Sequence, residues 1–90
     1  MASTGYTLAE VWNTTNRYQA SGDTDISISN NSRWNIFFTV TASGTAPATI
    51  PAQAGQVIKP YERAAIQLPD TDYVYLAGNP GAFAGLDDGA

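Results

Sequence analysis

From Thr24 to Thr41 the chain alternates apolar and polar residues in two runs, Asp25-Ile26-Ser27-Ile28-Ser29 and Trp34-Asn35-Ile36-Phe37-Phe38-Thr39-Val40-Thr41. Period two, with β-branched and aromatic side chains, is the signature of strands lying on a pleated, half-buried surface. The Asn30-Asn31-Ser32 stretch between them is turn-forming, so the pair reads as the central β-hairpin of the molecule. In the second run Trp34, Ile36, Phe38 and Val40 fall on one face, expected to be core, and Asn35, Phe37, Thr39 and Thr41 on a wetter one. Phe37 breaks this division. A large apolar side chain on the wet face needs either a segment of the chain folded over it or a neighbouring molecule.

The pattern is weaker on either side. Thr7-Leu8-Ala9-Glu10 matches a capping box for a short helix, whereas Tyr6, Leu8 and Trp12 alternate as a strand would; the strand or extended arm is preferred. Asn13 to Asn16 is turn chemistry, Arg17 to Ala20 a weak strand, and Ser21-Gly22-Asp23 a second turn. Residues 42–55, small and with two prolines, predict a long ordered loop running over the domain. An extended segment around Gln56 to Ile58 ends at Pro60. Strands then follow at Arg63 to Leu68, with Ala64, Ile66 and Leu68 inward, and at Tyr73 to Ala77, with Val74 and Leu76 inward. Between them, Pro69 to Asp72 is a turn. From Gly78 to Ala90, four glycines and a proline argue against a regular element, yet Phe83 and Leu86 are apolar anchors.

These elements predict an all-β fold, a small antiparallel β-sandwich or jelly-roll-like barrel with extended N- and C-terminal arms. Residues 1–12 are expected to be an arm or first strand, 13–78 the sandwich and 79–90 a C-terminal arm. The expected core is Trp34, Ile36, Phe38, Val40, Ile26, Ile28, Ile66, Leu68, Val74 and Leu76.

Composition narrows the function classes. A chain of 90 residues buries roughly 63% of its unfolded surface, near the low end for folding alone. It has neither Cys nor His, so disulfides and the common zinc sets are excluded as staples. Self-association, with a trimer favoured, or docking on a larger body is therefore expected. No apolar run reaches the length of a membrane span and no signal peptide is evident, predicting a soluble protein made in the cytoplasm with no membrane partner. A net charge of −4, with only Arg17, Arg33, Lys59 and Arg63 basic, argues against a nucleic-acid partner.

Candidate chemistry is sparse. Without His or Cys there is no Ser-His triad, thiol nucleophile or histidine base, and the acids sit mostly in turns and the tail, so no enzyme and no cofactor are expected. Asp23-Thr24-Asp25 and Asp70-Thr71-Asp72 contain oxygen ligands suited to calcium, but turn capping is the expected role and no metal is assigned. Tyr6, Trp12, Trp34, Tyr61, Tyr73 and Tyr75 form a stacking platform for sugars in one reading, and sheet cover or subunit contacts in the preferred one. Asn13-Thr14-Thr15 and Asn30-Asn31-Ser32 match the glycosylation acceptor pattern and are read as turns.

Four stretches taken together carry a resemblance: 26–32 (Ile-Ser-Ile-Ser-Asn-Asn-Ser), 36–47 (Ile-Phe-Phe-Thr-Val-Thr-Ala-Ser-Gly-Thr-Ala-Pro), 54–58 (Ala-Gly-Gln-Val-Ile) and 72–77 (Asp-Tyr-Val-Tyr-Leu-Ala). Over residues 24–78 the chain resembles small virion proteins of tailed phages, in which a compact β-sandwich decorates the capsid as a cement protein or forms part of a head or tail attachment. The resemblance implies a structural protein on the outer capsid surface, bridging copies of the major capsid protein. A glycan-binding appendage and a tail or connector component are the alternatives. No site residue comes from the resemblance. The residue pattern itself nominates Phe83 and Leu86 as anchors, Asp87 and Asp88 as partners for basic groups, Tyr6, Leu8 and Trp12 as contacts at the other end, and Phe37 as an exposed apolar site.

Overall fold

The computed structural model describes residues 3–88, which form eight strands and one helical turn: β1 (Ser3–Thr7), β2 (Arg17–Gln19), β3 (Thr24–Asn30), β4 (Ile36–Thr41), α1 (Pro51–Ala54), β5 (Gln56–Ile58), β6 (Arg63–Leu68), β7 (Tyr73–Gly78) and β8 (Phe83–Asp87). They build two four-stranded antiparallel sheets, β1-β8-β3-β6 and β2-β7-β4-β5, packed face to face as a sandwich and not closed into a barrel. β1 lies beside β8, β2 beside β7, β3 beside β6 and β4 beside β5. The chain is thus one long hairpin, its tip between β4 and β5, rolled into two layers, which is the strand order of a jelly roll.

The alternating runs form strands as expected, but the hairpin between them does not form. β3 pairs with β6 and β8 in one sheet, β4 with β5 and β7 in the other. Asn30 is the cause. Its side chain is wholly buried, where an unpaired amide would be costly. Nδ2 donates to the Trp34 and Ile58 carbonyls (2.6 and 3.0 Å), and Oδ1 accepts from the Ser32 amide and hydroxyl (3.0 and 2.7 Å). This network carries the chain from one sheet to the other.

Neither terminal segment is an arm within residues 3–88. β8 occupies the middle of its sheet between β1 and β3, and β1 is that sheet's edge. Two of the glycines that argued against a strand have local reasons. A Cβ at Gly85 would stand 3.0 Å from Ser29 Oγ and 3.2 Å from Asn31 Nδ2. Gly81, at φ +92°, closes the turn before β8, where the Ala82 amide donates to the Asn79 carbonyl (2.8 Å).

Between the sheets, Ile26, Ile28, Ile36, Phe38, Leu68, Val74 and Leu76 are buried as expected, joined by Tyr6, Leu8, Ile58, Ala82, Ala84 and Leu86. The Tyr6 hydroxyl spans the layers, donating to the Arg17 carbonyl (3.1 Å). Three residues depart from the expected core. Trp34 is 37% exposed, because it lies in the crossing before β4 with the Arg33 guanidinium 4.8 Å over its ring. Val40 is 40% exposed although it lies on the inner face, since β5 pairs only with Ile36 to Phe38 and leaves the end of β4 uncovered. Ile66, on the edge strand β6, is half-buried.

Candidate functional site

The outward positions of β4 and β7 bring Phe37 beside Ala77, Thr39 beside Tyr75 and Thr41 beside Tyr73. This face carries a second apolar cluster in which Trp12, Tyr75 and Ala77 are buried and Phe37, Ala46 and Tyr73 pack against them. The chain folds over its own wet face to build it. Residues 8–16 cross from the first sheet to the second, fixed by the Leu76 amide donating to the Asn16 carbonyl and the Gly78 amide to the Ala9 carbonyl (2.9 Å each). The loop after β4 returns over Tyr75, whose hydroxyl donates to the Ser43 carbonyl (3.1 Å). Arg17 Nη1 donates to the Gly44 carbonyl (2.6 Å), and its guanidinium lies 4.8 Å over the Tyr73 ring. The two covering segments meet where Trp12 Nε1 donates to Thr49 Oγ1 (3.1 Å).

The cover is incomplete beside Phe37. There the second sheet carries an open groove of ≈ 530 Å³ whose apolar wall is Val11, Phe37, Ile50 and Pro51, with Glu10, Asn35 and Asn79 at its polar margin. α1 forms one side; Pro51 opens it, as suits a residue with no N–H to leave unpaired. Gly55, which follows α1, packs close behind Phe37, where a Cβ would stand 2.9 Å from both Phe37 Cβ and Trp12 Cη2. Val11 is 61% and Ile50 57% exposed, and Val57, opposite Phe37 on β5, extends the apolar strip. An apolar floor with a few polar groups on its rim suits an apolar side chain of a partner.

Of the eight residues nominated from the sequence, only Phe37 belongs to this groove. Tyr6, Leu8, Trp12 and Leu86 are buried in the two clusters. The alternation of Tyr6, Leu8 and Trp12 places them in these clusters. Phe83 is 41% exposed on the outer face of the other sheet, its ring lying across Gly5. Asp87 is half-buried on β8 opposite Ser3 and Ser27, and Asp88 follows it. Asp88 reaches the Tyr18 phenol electrostatically: burial first and then the Asp88 charge push that phenol up, against a lowering hydrogen bond with Thr24. Val11, Ile50 and Pro51 were missed, because isolated apolar residues in loops carry no periodicity.

The sugar platform does not assemble, since Tyr6, Trp12 and Tyr75 are buried. The aspartates cap turns reciprocally: Asp23 Oδ1 accepts the Asp70 amide (2.9 Å) and Asp70 Oδ1 the Gly22 amide (2.8 Å). Among the described residues no group of three or more His, Cys, Asp or Glu is placed to hold a metal. Asn13 is likewise a turn residue, its Oδ1 accepting from the Thr15 and Asn16 amides (3.1 and 3.0 Å). No protein-family model, curated protein or solved structure matches the chain.

Proposed function

We propose that this protein is a non-enzymatic attachment module, a decoration protein of a phage capsid, and that it binds the major capsid protein through the Phe37 face of the β2-β7-β4-β5 sheet. The observation that carries the reading is the groove itself. Val11 and Ile50 stand exposed around a half-buried phenylalanine in a domain small enough to have needed every apolar side chain for its core. The resemblance to phage virion proteins supplies the class of partner, and the virion surface is the corresponding location. Glu10 on the margin favours a partner with a basic group beside its apolar anchor. The same face serves equally if the larger body is a tail or connector. The glycan-binding alternative has less support, because the rings that would stack on a sugar are mostly used inside the fold.

The test is co-sedimentation of purified protein with phage particles stripped of it, with a glycan array as the parallel arm. Saturable binding to particles supports the reading. Glycan binding without particle binding overturns it in favour of the appendage.

A further inference from the structure

We infer that β6 is a self-association edge, and that two copies of this chain pair their β6 strands antiparallel about a two-fold axis through Ala65, joining two four-stranded sheets into one of eight. This goes beyond capsid attachment and uses an edge of the other sheet, not the Phe37 groove.

A sheet edge invites pairing unless something blunts it, by shortness, charge, proline, glycine or distortion. Among the described residues the sandwich has four edges, β1, β2, β5 and β6. β2 and β5 have three residues each; β2 carries Arg17, and β5 runs into Lys59-Pro60. β1 is interrupted by Gly5, which lies under the Phe83 ring. β6 has six residues, Arg63-Ala64-Ala65-Ile66-Gln67-Leu68, with no proline, no glycine and a single charge at its first position. It is the longest edge and the least protected.

Its free hydrogen-bonding groups can be assigned. The Asn30 amide donates to the Glu62 carbonyl (2.8 Å), and the register runs Ile28 to Ala64, Ile26 to Ile66 and Thr24 to Leu68. Bonded positions alternate along an antiparallel ladder, so Ala64, Ile66 and Leu68 direct their backbone groups to β3. Arg63, Ala65 and Gln67 direct theirs outward.

The strand is self-complementary in one register. With Ala65 opposite Ala65 of the second copy, Arg63 falls opposite Gln67 on both sides of the axis, and every outward amide and carbonyl of these residues finds a partner. On the outer face no like charges meet. On the inner face Ile66 falls opposite Ala64 of the second copy, large against small, and both are only partly buried in the single chain. Registers shifted by two residues are poorer. One places Arg63 opposite Pro69, which has no N–H to give. The other places Gln67 opposite Tyr61, which has left the strand at φ 60° in the left-handed region.

The same side of the sandwich is open. β5 and β6 are adjacent edges joined by residues 59–62, and β5 stops at Gln56 while β4 continues to Thr41. Val40 on β4 and Ile66 on β6 both lie on inner faces and are incompletely buried.

Contact along one strand is small, so the dimer should be reversible and concentration-dependent. The experiment is sedimentation equilibrium of the full chain up to about 1 mM, with amide exchange read residue by residue. Dimer formation is expected, with exchange at Arg63, Ala65 and Gln67 slowing as concentration rises. Ala65→Pro removes the central outward amide without touching the β3 ladder. It should abolish the dimer while leaving the single-chain melting temperature within a few degrees. If that variant does not fold, Ala65→Lys gives the same reading: two ammonium groups meet at the axis, and the dissociation constant rises at least about tenfold at low salt, recovering partly at high salt. A chain that stays monomeric throughout overturns the inference, as does a trimer, or a dimer indifferent to both substitutions. Because only purified chain is used, the result is independent of whether the Phe37 groove binds capsid.

Discussion

The indole N–H of Trp12 donates to Thr49 Oγ1 at 3.1 Å, closing one lid from two segments far apart in sequence over the outer face of the second sheet. Trp12 is buried there, while Thr49 is exposed and belongs to the long loop after β4. This bond is the hinge of the functional reading, because the loop it holds presents Ile50 and Pro51 to the groove. Trp12→Phe keeps most of the apolar burial and loses the donor, so it should cost about 1 kcal/mol in chemical denaturation. Trp12→Ala should cost about 3 to 5 kcal/mol and expose residues 42–50 to limited proteolysis.

Removing residues 79–90 should prevent folding, since it deletes β8 from between β1 and β3. Circular dichroism of the truncated chain checks this; a cooperative melt near the full-length value would show that β8 is dispensable. In the same assay Phe38→Ala should cost about 3 to 5 kcal/mol. Val40→Ala, at a site 40% exposed, should cost no more than about 1 kcal/mol.

Gly55→Ala tests the packing behind Phe37. The added methyl would stand 2.8 Å from the Pro51 carbonyl oxygen and 2.9 Å from Phe37 Cβ. The first is backbone and cannot swing away. Thermal denaturation should register a loss of about 1 to 3 kcal/mol from overpacking. Gly5→Ala meets the tip of the exposed Phe83 ring instead, which can move, and should cost less.

Burial, and then the neighbouring Tyr18 phenol, hold the Tyr6 phenol above its ordinary range. Burial likewise leads the upward shift at Tyr18. The folded state therefore favours the neutral phenols, whereas in the unfolded chain they ionise near pH 10. Their contribution is complete below about pH 10 and is lost as pH rises through the folded-state values. Urea denaturation from pH 8 to 11.5 should show stability falling at the alkaline end. Tyr6→Phe should flatten that fall while lowering stability at pH 8 through loss of the bond to the Arg17 carbonyl.

The strands β3, β4, β6 and β7 were legible in the sequence because two-residue alternation is a local property of a half-buried strand. Their partners were not. Alternation says which face a residue occupies, not which strand lies beside it, and the Asn30 network that sends β3 and β4 to different sheets looks like a turn when read locally. A first strand was among the readings of residues 1–12, whereas β8 was hidden by its glycines, of which Gly85 has Ser29 close beside it across the sheet. Phe37 was legible as an anomaly, and the fold-over of the chain is the explanation that the structure bears out. Trp12 and Gly55 supply the fold-over, and the open groove leaves room for a neighbour.

The Phe37 face is tested most directly by co-sedimentation of variants with undecorated particles. Val11→Glu combined with Ile50→Glu changes two exposed groove residues and leaves both apolar clusters intact. Phe83→Glu, on the opposite sheet, is the matched control. With both variants shown to melt like the parent, the groove variant should lose at least about tenfold in particle affinity, equivalent to 1.4 kcal/mol, while the Phe83 variant binds as the parent does. Undiminished binding by the groove variant, with loss on Phe83→Glu, would place attachment on the β1-β8-β3-β6 sheet and contradict the account.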